Sequence, residues 1–304
     1  MTAAPSPWTA HLAVALESLT MARPDSASWR RADVTSIQQT LQGVSPYSGA
    51  VKPDQGARVV FNISSAHIPS FMTGAPDSAY LNRYAVPAGR VGGAPKIDAR
   101  TRIDDLLGAI LGVPGQDLHY GAADLNGAGI RYYGDVCLVL KADAVADGTL
   151  VLDRNSFDLI CPPLVEKTAP GGAWNATAAK AEAEALSGRW KSCFVAMASC
   201  KILEGGPFAC RRITIGMISE GLLRDEDYVE VVRDGSFGRA DVAEARTAAG
   251  DAAADASIAD RLVRGPTPDL TALLWRHRRR LAEAAFAAGG VPHRTVVSSG
   301  RVRS

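Results

Sequence analysis

The spacing of hydrophobic positions predicts helices toward both ends of the chain and strands in the middle. Near the start, residues 8–22 carry apolar side chains at helical spacing, and residues 27–43 hold a second helical pattern. Further helices are predicted over 98–111, 173–186, 240–262 and 270–288. The pair Gly289-Gly290 is expected to end the last of these helices.

Short runs of apolar and β-branched residues predict the strands. These runs cover residues 58–63, 134–141, 149–153, 228–232 and 293–297. Because only a short polar spacer with one glycine separates the second run from the third, we expect these two strands to be neighbours. The pattern as a whole predicts an α+β fold with a central mixed or antiparallel sheet and flanking helices.

Length and charge limit the classes of protein that fit. The 304 residues allow an N-terminal helical segment over 1–50 and one α+β domain over 51–304 with a helical C-terminal part. With 33 Lys and Arg against 32 Asp and Glu, the net charge of +1 argues against a general nucleic-acid binder. The sequence has no apolar run long enough to span a membrane and no secretory leader pattern, which favours a cytoplasmic protein.

The common signature motifs for phosphate and metal binding are missing from the sequence. The glycine-rich stretch 86–93 lacks the spacing of a phosphate-binding loop and is interpreted as a surface loop. The five histidines are scattered, so we expect no metal site. Cys193, Met197 and Cys200 share one helical stripe, which is typical of core packing.

A basic stretch lies within the last predicted helix. Arg276, Arg279 and Arg280 fall on one side of that helix. A charge run of this kind is usually a solvated face, and weak contact with a polyanion is the alternative.

Four spaced motifs carry the most specific signal in the sequence. They are Leu118–Leu125, Gly129–Lys141, Thr149–Ser156 and Asp225–Val231, and the pair Asp241-Val242 follows the last of them. Their order resembles an uncharacterised bacterial family with Tyr-Gly-Ala, Gly-Asp-Ser-like and Asp-Tyr-Ile-Glu motifs. The Tyr228-Val229-Glu230 segment is also similar to the closing strand of ADP-ribosyltransferase-type bacterial toxins.

This resemblance implies an ADP-ribosyltransferase-like core that takes NAD as a substrate and cleaves its nicotinamide glycosidic bond. Glu230 would be the catalytic glutamate that stabilises the positively charged sugar, and Tyr228 would lie on the same strand face. The resemblance further implies ligand contacts of three kinds. Arg58 or His67 would grip phosphate or ribose, Tyr84 or Tyr120 would stack on a ring, and Arg131 and Ser156 would line the cleft.

Two departures from the toxin pattern keep other functions open. Arg58 stands at the very start of the first predicted strand, and the segment 80–86 lacks a Ser/Thr-rich signature. Arg131 is also placed to pair simply with Asp135 or Asp124. The alternatives are a non-catalytic nucleotide- or nucleic-acid-binding protein on the same scaffold, or a biosynthetic enzyme of another class.

Overall fold

The computed structural model describes most of the chain between residues 57 and 297. The described residues are 8, 10, 12–14, 35–39, 57–74, 78–82, 84, 99–157, 175–204, 219, 221–223 and 228–297. The strands of this part form one central sheet, and the helices flank it.

The sheet has eight strands in the described part of the chain. They are β1 (Arg58–Ile63), β2 (Leu118–Asp124), β3 (Val136–Leu140), β4 (Leu150–Leu152), β5 (Ser187–Arg189), β6 (Glu230–Asp234), β7 (Val242–Ala248) and β8 (His293–Val296). Their spatial order is β5-β4-β6-β2-β1-β3-β7-β8. All neighbouring strands are antiparallel except β7 and β8, which are parallel, so the sheet is mixed.

The described helices flank this sheet. They are α1 (Ile68–Met72), α2 (Ala99–Leu111), α3 (Ala176–Leu186), α4 (Trp190–Glu204), α5 (Ala249–Arg264) and α6 (Leu270–Gly289). The longest of them, α6, begins where the Asp269 side chain accepts a hydrogen bond from the Ala272 amide. It ends at Gly290, whose φ of 68° is the left-handed conformation that favours glycine.

The two faces of the sheet are packed differently. One face buries the main hydrophobic core, in which Val59 and Phe61 of β1 meet residues of α1, α4 and α6. The other face packs against α2 and α3, whose Ile103, Leu107 and Ala183 are fully buried. Because side chains alternate along a strand, Val60 and Asn62 of β1 belong to this second face, where both line a cavity.

Most of the predicted elements are confirmed. The strand at Arg58–Ile63 has the predicted bounds, and the helix predicted over 98–111 is α2. The mixed α and β composition with one central sheet is confirmed as well. Within α4, the sulfur-bearing residues Cys193, Met197 and Cys200 are buried, as predicted for core packing.

Two predictions about the sheet were wrong. The strands β3 and β4 are not neighbours, because β1 and β7 occupy both sides of β3 and the chain crosses to pair β4 with β5 and β6. The stretch 240–262 is not one helix, since Val242–Ala248 forms β7 and the helix α5 begins only at Ala249. Pairing with β3 and β8 outweighs the weak strand propensity of this alanine-rich segment.

The N-terminal part contributes to the core where it is described. Trp8, Leu12 and Ile37 are buried in the main hydrophobic core, and the Trp8 indole donates to the Ser187 carbonyl oxygen at 3.1 Å. The boundary proposed at residue 50 stays a prediction, and the glycine-rich stretch 86–93 lies outside the described residues. Among the described residues, no helix combines the length and the hydropathy that crossing a bilayer requires.

Candidate functional site

A cavity of about 310 Å³ lies between α2 and the second face of the sheet. Its walls come from the centre of the sheet, from α2 and from the segments around residues 80 and 130. The lining residues are Val60, Asn62, Tyr80, Leu81, Asn82, Tyr84, Arg100, Asp104, Leu118, His119, Tyr120, Gly121, Ala122, Ile130, Tyr133, Tyr228 and Glu230. Five tyrosines and two carboxylates therefore face one pocket.

Glu230 is one of the two buried carboxylates of this cavity. It is the first residue of β6 and lies opposite Ala122 of β2 and Leu152 of β4, so its side chain emerges from the centre of the sheet. The side chain is 1% exposed. Its Oε2 accepts a hydrogen bond from the Ser156 amide at 2.7 Å, and its Oε1 accepts one from the Tyr228 hydroxyl at 3.2 Å.

Burial and charge act on Glu230 in opposite directions. Loss of solvent raises the pKa of the Glu230 carboxyl above its ordinary value, while the positive charge of Arg100 and the hydrogen bonds from Ser156 and Tyr228 lower it. The first effect is the larger one. Glu230 is thus a buried carboxyl group with a perturbed pKa, and such groups are common at functional sites.

Two tyrosine hydroxyls continue from Glu230 along the cavity wall. Tyr228 donates to Glu230, and its oxygen lies 3.4 Å from the Tyr133 hydroxyl. Burial and the nearby Glu230 charge raise the pKa of Tyr228, and burial also raises that of Tyr133. Both phenols therefore keep their protons at neutral pH and act as hydrogen-bond donors.

On the opposite wall, Asp104 accepts hydrogen bonds from three donors among the described residues. Its Oδ1 accepts from the Tyr120 hydroxyl at 2.6 Å and from Arg100 Nε at 3.0 Å, and its Oδ2 accepts from the Tyr84 hydroxyl at 2.7 Å. The side chain is 1% exposed. A buried carboxylate needs such partners, because an unpaired one would be strongly destabilising.

Arg100 connects this wall to Glu230. Its guanidinium carbon lies 3.6 Å from the centre of the Tyr120 ring, and its Nη1 donates to Ser156 Oγ at 3.2 Å. Burial opposes its charge, yet Tyr120, Glu230 and Asp104 together raise the pKa of Arg100 above its ordinary value. The cation is therefore permanent at any pH that the folded protein meets.

The part of the cavity around His119 and Tyr80 has uncharged side chains. His119 is buried, with Nδ1 3.1 Å from the Asp117 carbonyl oxygen and Nε2 3.2 Å from that of Tyr80. Burial lowers the pKa of His119 and raises that of Tyr80 to about 12. Both side chains are uncharged near pH 7, so the charged groups of the pocket are concentrated around Asp104, Arg100 and Glu230.

The structure brings five of the eight predicted site residues together. The cavity is lined by Glu230, Tyr228, Tyr84 and Tyr120, and the Ser156 amide donates a hydrogen bond to Glu230. The other three predicted residues lie elsewhere.

Each of those three residues has a different environment. Arg58 is buried at the start of β1 and does not line the cavity. His67 is exposed in the turn that precedes α1. Arg131 forms an ion pair with Asp251 of α5 at 2.6 Å, rather than with Asp135 or Asp124. The simple pairing considered for Arg131 is thus correct in kind but with another partner.

Sequence reasoning missed Arg100, Asp104 and Tyr133. Arg100 and Asp104 are four residues apart on α2, a spacing that places opposite charges side by side and that could have indicated the pair. Tyr133 lies two residues after Arg131 in the same motif, and only the fold shows which of the two side chains reaches the cavity.

The arginines of the basic stretch do not present one free face. Arg279 of α6 pairs with Asp255 of α5 and lies 3.8 Å from Asp135, while Arg280 pairs with Glu283. Among the residues that the structure describes, no group of three or more His, Cys, Asp or Glu side chains is arranged to hold a metal ion.

Comparison of the chain with models of protein families, with curated proteins and with solved structures gives no match.

Proposed function

We propose that this protein is an ADP-ribosyltransferase-like enzyme that binds NAD and cleaves the bond between nicotinamide and ribose. One observation carries the proposal: a buried glutamate, Glu230, shares a cavity with five tyrosines and is held by the Ser156 amide and the Tyr228 hydroxyl. The Tyr228-Val229-Glu230 segment is also the one that resembles the closing strand of such enzymes.

The proposed chemistry needs a carboxylate where positive charge develops. As the glycosidic bond breaks, its electron pair moves to the ring nitrogen, which becomes neutral, and the ribose carbon becomes cationic. The Glu230 carboxylate then stabilises this oxocarbenium-like state electrostatically. Water or another nucleophile completes the reaction by bonding to the ribose carbon and losing a proton.

The cavity suits a flat cationic ring. Aromatic faces attract cations, and the walls carry Tyr80, Tyr84, Tyr120, Tyr133 and Tyr228. Among the described lining residues, the formal charges are those of Asp104, Glu230 and Arg100, which leaves one negative charge in excess. An uncharged nicotinamide product would be attracted less strongly than the charged substrate, and this difference favours its release.

The test is a titration of NAD into the purified protein by calorimetry, together with an assay of nicotinamide release. The Glu230→Gln variant keeps the shape but not the charge, so it should still bind NAD and lose activity about 100-fold or more. Glu184→Gln, on the exposed side of α3, is the matched control and should behave as wild type. Unchanged turnover by the Glu230→Gln variant would contradict the proposal.

One observation favours a second candidate, a nucleotide-binding protein without catalysis. Arg58 and His67, the residues that the resemblance assigns to phosphate or ribose, do not line the cavity. A protein that has this cavity but lacks the residues that hold the phosphates and ribose of NAD would bind another nucleotide without turnover. A calorimetric screen of nucleotides with the same two variants separates the candidates, since loss of charge at Glu230 would then change affinity rather than rate.

A further inference from the structure

Arg100 and Ser156 connect the two carboxylates of the cavity. Arg100 donates hydrogen bonds to Asp104 and to Ser156 Oγ, and the backbone amide of the same serine donates to Glu230. Arg100 makes its ion pair with Asp104, and none of its nitrogens is within ion-pair distance of Glu230. The cation therefore lies near Glu230 without being bound to it.

We propose that Asp104 is a positioning residue that sets the charge of Glu230 by anchoring Arg100 beside it but out of direct contact. This inference goes beyond the proposed function and rests on it only in taking Glu230 as the acting group. A carboxylate that must face a developing cation cannot be neutralised by its own ion pair. It also needs a nearby positive charge, because otherwise a desolvated carboxyl would take up a proton.

The geometry gives Asp104 the means to hold Arg100. Asp104 lies on α2 between Ile103 and Leu107, and both of these side chains are fully buried in the second core cluster. This packing fixes the backbone that carries Asp104. Two tyrosine hydroxyls orient its carboxylate, and Arg100 is stacked on the Tyr120 ring that donates one of them. The guanidinium is thereby fixed on one side by Asp104 and on a second side by an aromatic face.

Other groups near Glu230 do not compete for this role. The charge of Arg100 and the hydroxyl of Tyr228 act on Glu230 directly, and Glu230 in turn acts on Tyr120 and Tyr133. Asp104 acts on Arg100 and Tyr120. At the end of β4, the carboxylate of Asp153 pairs with Arg154, and the Asp153 carbonyl accepts from buried Lys201. Among the described residues of the cavity wall, Arg100 is the only Arg or Lys side chain.

The two members of the pair should act on Glu230 with opposite signs. Asp104→Asn removes the negative charge that competes for Arg100 and should lower the pKa of Glu230 by on the order of one pH unit. Arg100→Gln removes the positive charge and should raise it by a similar amount. If Asp104 acts by holding Arg100, the shift caused by Asp104→Asn should become smaller in the Arg100→Gln background, whereas a purely through-space effect of the Asp104 charge would be the same in both backgrounds.

The measurement is a carbon-13 NMR titration of Glu230 in glutamate-labelled protein without any ligand, assigned by the signal that the Glu230→Gln variant loses. Asp105→Asn and Arg102→Gln, on the same helix and outside the cavity lining, are the matched controls and should leave that titration unchanged. Shifts of the same sign in the two test variants, or no shift, would overturn the proposal. If Asp104→Asn fails to fold, Arg100→Gln is the remaining test. An unchanged pKa of Glu230 in that variant would also overturn the proposal.

The same variants separate this inference from the proposed function. If the opposite shifts appear and NAD is neither bound nor cleaved, the positioning role stands and the proposed reaction is wrong. If NAD is cleaved, the acid limb of the pH–rate profile should move to lower pH in Asp104→Asn. Cleavage of NAD without the NMR shifts would overturn the positioning role alone.

Discussion

At the scale of single residues, the cavity contains groups that a fold would not keep for stability. Glu230 is desolvated, and the pKa of its carboxyl is raised by burial. A group whose folded-state pKa lies above its unfolded value destabilises the folded protein increasingly as the pH rises from the unfolded value, about 4.3 for glutamate, through the folded one. At neutral pH Glu230 therefore opposes folding, and its partners are uncharged: a glutamine oxygen could accept from the Ser156 amide, with the glutamine NH2 group donating to the Tyr228 oxygen.

We expect Glu230→Gln to become more stable relative to wild type as the pH rises. The difference in melting temperature between variant and wild type should be more positive at pH 7 than at pH 4, by one to a few degrees, since about 1 kcal/mol corresponds to roughly 2–4 °C in a protein of this size class. Thermal unfolding followed by circular dichroism at both pH values measures it. Glu184→Gln should show no such pH-dependent difference, and a difference that shrinks as the pH rises would contradict the interpretation.

Gly121 shows how closely β2 packs against its neighbour β1. A Cβ at this position would lie 2.4 Å from the Val60 carbonyl oxygen and 3.0 Å from the Phe61 ring. We expect Gly121→Ala to lower the free energy of unfolding by about 1–3 kcal/mol, because the contact forces a backbone shift. Chemical denaturation measures this loss. Gly238→Ala, at a position with open space around its Cβ, should lose less than half as much.

At the scale of elements, the helix α2 positions the polar half of the cavity. Ile103 and Leu107 bury one side of this helix against the second face of the sheet, and Arg100 and Asp104 project from it into the pocket. The alignment of the pocket therefore depends on apolar packing at a distance from any polar group.

We expect Leu107→Ala to affect stability and the pocket together. Deleting this fully buried side chain should cost about 2–5 kcal/mol of unfolding free energy, and the loosened helix should weaken ligand binding by the cavity. Leu138→Ala, equally buried on the opposite face of the sheet, should cost a similar amount and leave binding unchanged. Denaturation and calorimetry on both variants test this, and equal losses of affinity would argue against a specific role for α2.

Elements were predictable from the sequence where pattern and local chemistry agree. The β-branched run Arg58–Ile63 and the helix α2 have the periodicity of their final structures. Partner choice was not predictable: β4 joins β6 across the sheet, although it follows β3 in the chain. The same applies to the cavity, since Arg100 and Asp104 become site residues only because β6 and α2, more than 100 residues apart, face each other.

At the scale of the whole molecule, one arginine ties the C-terminal helices to the sheet. Arg279 of α6 pairs with Asp255 of α5 and lies 3.8 Å from Asp135, which precedes β3. The Asp135 carboxylate also accepts from the Ser65 amide at 2.7 Å, just after β1. The Arg279 guanidinium thus joins α5 and α6 to the residue that precedes β3, and Asp135 extends the link to the turn after β1. The Arg279 side chain is 11% exposed, so it lies between these elements rather than on an open basic surface.

We expect Arg279→Gln to destabilise the protein far more than Arg280→Gln does. The side chain of Arg279 is 11% exposed and those of Asp135 and Asp255 are 12% exposed, so its removal leaves two nearly buried carboxylates without their cation. Because this exposure is partial, the cost should fall below the 3–5 kcal/mol typical of a fully buried pair, at about 1–3 kcal/mol. Arg280, with 62% exposure and one surface partner, should change stability by less than about 0.5 kcal/mol.

Denaturation of the two variants measures both changes in the free energy of unfolding. Raising the salt concentration should reduce the small effect of Arg280→Gln and leave most of the effect of Arg279→Gln, because partly buried ion pairs are screened less. If the two variants were equally stable, Arg279 would be a solvated surface charge, and weak contact of this helix with a polyanion would stay open as the alternative.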